Sequence, residues 1–167
     1  MIKFAVSYSA PFAIRYPRGE AYDGLQEYRE PMVMGKSERI YEEKDIMLFA
    51  VGSMVKVALD VRDKLKEKGY SCSLTNARFV KPIDEEAIME ACHDHKLIVT
   101  MEENVASGGF GEKVREYVSG LDTDAKVLCI ALPDEYVEHG NVELLKQETG
   151  IDADSIVNKI THVFERH

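Results

Sequence analysis

Apolar residues gather along this chain in short, nearly continuous runs, separated by stretches with helical spacing. Ile46-Met47-Leu48-Phe49-Ala50-Val51 ends at Gly52, Leu97-Ile98-Val99-Thr100-Met101 follows Lys96, and Val127-Leu128-Cys129-Ile130-Ala131-Leu132 stops at Pro133. Cys72 to Ala77 is a fourth, more polar run. Runs that do not alternate predict strands buried on both faces, as in a parallel sheet covered by helices. Between them, Met54, Ala58, Val61 and Leu65 recur at helical spacing after Ser53, an N-cap residue type. Gly69 stands where a helix C-terminus favours a left-handed residue. Asp84, Glu85 and Glu86 suit the positive end of a second helix, whose apolar side is Ala87, Ile88, Ala91 and Cys92. Val114, Tyr117, Val118 and Leu121 mark a third helix, and Ile156, Ile160 and Val163 another in the tail.

This alternation predicts an α/β protein, a three-layer α/β/α sandwich with a mostly parallel sheet. Gly35 to Glu42 reads as a short first strand, running antiparallel into Ile46–Val51 through Glu43-Lys44-Asp45. The sheet then has about five strands, an ordinary number for one domain. The first thirty residues fit less neatly. Phe12-Ala13-Ile14-Arg15-Tyr16 reads as a strand reaching Pro17, and the polar stretch Gly19 to Pro31 as a linker. A lone strand cannot satisfy its own backbone groups, so this one should belong to a sheet elsewhere, which hints at a chain cut from something larger.

Composition narrows the function classes. The 167 residues carry 21 Lys+Arg against 30 Asp+Glu, a formal net charge of −9, which argues against a general nucleic-acid binder. With 45% hydrophobic residues the chain is neither disordered nor collagenous. No apolar run approaches the roughly 20 residues of a membrane span, and Met1 to Tyr8 lacks the pattern of a signal peptide. Cys72, Cys92 and Cys129 are widely spaced and form no C-x-x-C pair, so they read as small buried hydrophobes of a reduced, cytoplasmic protein.

Five stretches hold candidate chemistry. Arg15-Tyr16-Pro17-Arg18-Gly19 sets two guanidinium groups about a rigid Tyr-Pro corner, suited to a phosphate or carboxylate; the alternative is a surface pair bridging to Glu20 or Asp23. Glu102-Glu103-Asn104 follows an apolar strand, and Gly108-Gly109-Phe110-Gly111 opens the next helix. Ends of parallel strands are where α/β proteins place their sites. Two adjacent carboxylates suit acid–base work, but local capping, with glycines allowing tight packing, is the favoured reading. The glycines lack both the dinucleotide fingerprint and a phosphate-loop ending. Arg78-Phe79-Val80-Lys81-Pro82 reads as a strand terminus with solvated charges. His93-x-His95 has no third metal ligand nearby and reads as a helix end. Leu132-Pro133-Asp134 and His139-Gly140 form a loop after the last strand, and no Ser-His-Asp or Cys-His constellation is present.

Arg-Tyr-Pro-Arg-Gly (15–19), Ala-Arg-Phe-Val-Lys-Pro-Ile-Asp-Glu (77–85), Val-Thr-Met-Glu-Glu-Asn (99–104), Gly-Gly-Phe-Gly (108–111), Leu-Pro-Asp (132–134) and His-Gly (139–140) follow in order. As an ordered set, spanning about Pro11 to Ile160, they closely resemble the C-terminal part of the 1-deoxy-D-xylulose-5-phosphate synthase family. The resemblance implies a transketolase C-terminal-like domain over residues 31–167, with one antiparallel strand. Residues 1–30 would be the end of a preceding pyrimidine-binding domain plus linker. It also implies a homodimeric parent enzyme that condenses pyruvate with D-glyceraldehyde 3-phosphate on thiamine diphosphate and Mg²⁺, releasing carbon dioxide. The product feeds isoprenoid, thiamine and pyridoxal phosphate synthesis.

Arg18 matches the family's phosphate-binding arginine, and Arg15 is its expected support. Glu102, Glu103, Asn104 and His139 are assigned packing or interface roles. The cofactor's own residues belong to upstream domains, so this stretch is expected to hold no catalytic residue, no metal and no cofactor, and to be inactive alone. Its expected partners are those domains and small-molecule substrates, with neither nucleic acid nor membrane. The alternatives are the same domain of a transketolase or a 2-oxoacid dehydrogenase E1-β, or a non-catalytic assembly module. Arg-Tyr-Pro-Arg-Gly followed by Arg-Phe-Val-Lys-Pro favours the synthase.

Overall fold

Five strands form a single sheet in the order β1-β3-β2-β4-β5. They are β1 (Glu38–Tyr41), β2 (Asp45–Ala50), β3 (Cys72–Asn76), β4 (His95–Val105) and β5 (Lys126–Leu132). The computed structural model describes residues 1–16, 22–28 and 30–166. Strands β2 to β5 are parallel, and β1 alone runs antiparallel, against β3. The helices are α1 (Ile2–Ser7), α2 (Met54–Glu67), α3 (Glu85–Asp94), α4 (Phe110–Ser119), α5 (Val142–Thr149) and α6 (Ala153–Phe164).

The unbroken apolar runs are explained by two separate cores. Leu48, Leu74, Val99 and Met101 point to one face, where Met54, Ala58, Val61 and Leu65 of α2 and Ile156 and Ile160 of α6 cover them. Met47, Phe49 and Ile98 point to the other, beneath Ile88 and Ala91 of α3 and Phe110 and Val114 of α4. Successive strand residues therefore feed opposite cores, and both must be apolar. Each fully buried Leu, Ile or Phe contributes about 1.5–3 kcal/mol. None of the described helices is long and apolar enough to cross a membrane.

Four details depart from the sequence reading. Strand β1 does run opposite to β2, yet its hydrogen-bonded partner is β3, with Glu38 opposite Asn76 and Tyr41 opposite Leu74. The link Glu42–Lys44 passes the start of β3 and is tied down there. The Glu43 N–H donates to Ser73 Oγ (2.8 Å), and the Cys72 N–H donates to the Glu43 carboxylate (3.2 Å). Residues 11–16 join no strand ladder, and helix α1, which the sequence reading did not anticipate, precedes them. Instead, Phe12 packs edge-on against Phe79, with ring centres 6.2 Å apart, and against Phe4 at 5.7 Å. Helix α5, also unanticipated, is exposed along most of its length and starts on the Asn141 side chain, which accepts from the Glu143 and Leu144 N–H groups.

Asp84 stands at the start of α3 as expected, caps it through the Ala87 N–H, and also accepts from the Ser37 N–H and hydroxyl, both at 2.8 Å. Burial raises its pKa, but these donors, with Ala87 and Lys36, outweigh that and leave it below its ordinary value. The cysteines are free thiols; Cys72 and Cys92 are buried and Cys129 half-buried. Burial pushes the Cys72 thiol up to about 12, so it is chemically quiet.

Candidate functional site

The C-terminal ends of β2, β3 and β4 gather most of the candidate residues. Strand β4 runs on past the last regular pair, Met101 with Ile130, to Val105 with Leu132. Three residues, 102 to 104, thus face a single residue of β5, so the strand bulges and its ladder is interrupted. Side-chain alternation survives this far. Glu102 continues the face of Ile98 towards α4, whereas Glu103 continues the face of Met101 towards α2.

The two adjacent carboxylates therefore do different work. Glu102, only 3% exposed, accepts from the N–H groups of Phe110 (3.0 Å) and Gly111 (2.8 Å), the first turn of α4. A negative charge on these unpaired donors is favourable. The glycines make this approach possible: a Cβ at Gly109 would lie 2.6 Å from Glu102 Oε1, and one at Gly111 would lie 2.5 Å from Thr100 Oγ1. Glu103 instead accepts from the Ser53 hydroxyl through Oε2, and its Oε1 lies 3.4 Å from Lys146 Nζ of α5. Ser53 precedes α2 but makes no capping bond to it. Its hydroxyl is given to Glu103, against the expectation of a capping role.

Arg15 reaches the same place from the other end of the chain. Its Nη2 donates to the backbone carbonyl of Glu103, within the bulge. Arg18 and Gly19 lie outside the described residues, as do Pro17 and Glu20. Asn104 is half-buried at the end of β4, and His139 is exposed in the loop after β5.

Arg78 corrects the reading of a solvated strand terminus. Its side chain is 8% exposed and pairs with Glu38, itself 5% exposed, while Nη2 also donates to the Glu30 carbonyl (3.2 Å). A buried pair of this kind ties β1 and the stretch before it to the end of β3. His95 is likewise more than a helix end. It opens β4, and its Nδ1 lies 3.0 Å from the Ala91 carbonyl while Nε2 lies 2.8 Å from Ser73 Oγ. A carbonyl only accepts, so Nδ1 carries the proton and Nε2 accepts from the Ser73 hydroxyl. Burial pushes the imidazole below its ordinary pKa, against the pull of the Ala91 carbonyl and Asp94.

Known proteins resolve what this arrangement is part of. Residues 35–156 match the transketolase C-terminal domain. The chain belongs to that family. Among relatives, it is 45% identical over 161 residues to the 1-deoxy-D-xylulose-5-phosphate synthase of Lachnoclostridium phytofermentans, covering 96% of this chain and 26% of that protein. The enzyme of the same name from Dictyoglomus thermophilum is 40% identical over 96% of this chain and 26% of its own length. The chain thus spans about a quarter of the relatives it matches. Among solved structures, a split-gene transketolase described as an inactive beta4 tetramer superposes with a TM-score of 0.75 at 25% identity, covering 80% of this chain and 44% of that one. Transketolase from Campylobacter jejuni, at 16% identity and a TM-score of 0.58 over 83% of this chain and 20% of its own, shares the fold.

The described carboxylates and histidines of this family domain are not grouped as a Mg²⁺ site would need. Among the described residues no three His, Cys, Asp or Glu side chains are grouped to hold a metal ion. The two carboxylates nearest the strand ends are already engaged by helix N–H groups, Ser53 and Lys146. What these residues can do is hold strand ends, loops and an incoming segment in fixed relation.

Sequence reasoning missed Lys146 and read Ser53 only as a helix cap. Lys146 carries no local signal, because its partner lies 43 positions away in the chain. The split between Glu102 and Glu103 was readable, since extending the period-two alternation from Ile98 and Val99 sends them to opposite faces.

Proposed function

We propose that this chain is the C-terminal module of a 1-deoxy-D-xylulose-5-phosphate synthase, a thiamine-diphosphate-dependent transferase that joins pyruvate to D-glyceraldehyde 3-phosphate with loss of carbon dioxide. One observation carries the reading. The transketolase C-terminal match begins only at residue 35, whereas similarity to the synthases covers 161 residues and so takes in most of the stretch before it. That stretch holds Arg15-Tyr16-Pro17-Arg18-Gly19.

In this reading Arg18 binds the phosphate of the acceptor. A guanidinium presents a fork of donors to phosphate oxygens. Binding energy from this unreacting end of the substrate helps position the carbonyl that reacts. The cofactor, when bound by the upstream domains, supplies the carbanion chemistry. This chain contributes the rigid sheet from which the binding segment is held. These 167 residues alone are proposed to give no turnover, with the upstream domains and a second subunit as partners in a soluble cytoplasmic enzyme.

The test is steady-state kinetics on the full-length synthase carrying this sequence. Arg18→Ala should raise the KM for glyceraldehyde 3-phosphate about a hundredfold, in line with the loss of a charge-assisted contact, and leave the KM for pyruvate unchanged. An unaltered acceptor KM would remove Arg18 from the site.

A second reading draws on the structural likeness to the split-gene transketolase described as an inactive beta4 tetramer. Here the chain would be a separate subunit that completes an enzyme when it meets a partner polypeptide. Mixing the purified chain with candidate upstream polypeptides and assaying product formation separates the two arrangements.

A further inference from the structure

We propose that Arg15 is a positioning residue rather than a second phosphate ligand: it latches the segment bearing Arg18 to the bulge of β4, at a carbonyl held in place by Ser53 and Lys146. The inference rests on the reading of Arg18 given above and adds residues to it.

Three observations converge. The Glu103 carbonyl sits where the β4–β5 register shifts, so it is released from regular pairing and available to an outside donor. Arg15 Nη2 takes it. The same residue is fixed through its side chain, by the Ser53 hydroxyl at the start of α2 and by Lys146 Nζ at 3.4 Å from α5. Glu103 and Lys146 are 26% and 18% exposed, so water competes only in part for this contact. Finally, Phe12, three residues before Arg15, is seated against Phe79 just beyond the end of β3. The incoming segment is therefore held at two points on the rim of the sheet.

Chemistry assigns the latch its role. A guanidinium already donating to a carbonyl has turned that edge away from a phosphate. Arg18 follows by three residues, a covalent reach of about 10 Å from this anchor. An anchor so close restricts where the second guanidinium travels, and misplacement by about 1 Å can cost on the order of 100-fold in rate. Fixing the segment beforehand also removes ordering entropy from substrate binding.

The bond partner is neutral, which gives the decisive experiment. In the full-length synthase, Arg15→Ala should raise the acceptor KM about tenfold, the effect of one such hydrogen bond, without altering the pyruvate KM. Arg15→Gln, which keeps an N–H donor but no charge, should restore most of the loss. Lys146→Met should reproduce part of the Arg15→Ala effect, although the ion-pair partners of Lys146 are Glu103 (3.4 Å) and Glu143 (3.9 Å). In parallel, NMR of the 167-residue chain should show the Glu103 carbonyl carbon resonance moving in Arg15→Ala and returning towards wild type in Arg15→Gln. If Arg15→Gln is as impaired as Arg15→Ala, the charge is what matters and direct phosphate contact replaces the latch. An acceptor KM and Glu103 resonance unmoved by Arg15→Ala overturn the latch as well, and leave Arg18 standing if Arg18→Ala is impaired. Loss of effect in Arg18→Ala instead overturns the functional reading itself.

Discussion

The two ends of the central sheet spend their polar residues differently. At the N-terminal ends of the strands, Arg62 of α2 pairs with Glu43, donates from Nε to the Cys72 carbonyl (3.1 Å) and lies 3.9 Å from the centre of the Tyr41 ring. Glu43 in turn receives the Cys72 N–H and lies 3.1 Å from Lys66, and the Glu43 N–H leads through Ser73 to His95 and the Ala91 carbonyl. Every hydrogen-bond and ion-pair partner named here belongs to the domain, and only the Tyr41 ring reaches beyond it, to Tyr28 with ring centres 5.8 Å apart. At the C-terminal ends Glu102 is similarly absorbed, but one residue later Glu103 offers its carbonyl to Arg15, 88 positions away. A closed network stabilises the fold. An open one can set where another part of the chain sits.

Breaking the closed end should produce the largest loss of stability and none of function. Glu43→Ala leaves the Arg62 guanidinium, with a side chain 9% exposed, without its main counter-charge. Removing one partner of such a pair costs about 3 kcal/mol. Urea unfolding should show this drop, and the acceptor KM of the full-length enzyme should stay at wild type. A raised KM would mean that the two ends are not independent.

Glu102→Gln comes next. It replaces a carboxylate that accepts two helix N–H groups with an amide whose NH₂ must face one of them. A loss of about 2 kcal/mol is expected, combining helix-dipole and hydrogen-bond contributions. If Glu102 were instead an acid–base group, turnover would fall far more than stability. Its orientation away from Glu103 predicts the opposite.

Sequence patterning reached the apolar layers between these two ends and little of either polar network. Four parallel strands, α2, α3, α4 and α6 follow from runs and spacings because two cores demand apolar residues at those positions. The β1–β3 pairing was illegible, since it depends on Glu43 meeting Ser73 and Cys72 across a gap of about thirty residues. Arg78 looked solvated for the same reason: its partner Glu38 is 40 positions earlier. Phe12 to Tyr16 has strand-like composition but joins no strand ladder among the described residues, and Phe12 packs against Phe79 instead. Local pattern registers burial, whereas long-range polar pairs leave no local trace.

The closed end also carries a pH signature. Burial holds the folded His95 pKa below the unfolded value of about 6.5. Between those two values the unfolded chain binds a proton that the folded one refuses, so unfolding is favoured as pH falls. Stability should be level above about pH 7 and decline below about 6.5, by at most about 1.4 kcal/mol per pH unit. Asp84, held low in the fold, adds its loss only further into acid, below about pH 4. His95→Gln should flatten the decline near pH 6 and keep the one in acid. Denaturant midpoints measured from about pH 3 to 8 check this, and an unchanged slope near pH 6 in the variant would remove His95 as its source.

The smallest effect belongs to the open end, at Ser53. A serine before a helix normally stabilises it, and replacing it with alanine costs about 1 kcal/mol. Here the hydroxyl makes no cap and donates to Glu103 instead. Ser53→Ala should therefore cost only a few tenths of a kcal/mol, below the usual capping range, because α2 loses no capping hydrogen bond. Its consequence should surface elsewhere, as a shift of the Glu103 carbonyl resonance and a modest rise in acceptor KM in the full-length enzyme. A loss near 1 kcal/mol with an unmoved resonance would make Ser53 an ordinary cap. The polar rim would then resemble the closed end, and the contrast between the two would rest on Arg15 and Lys146 alone.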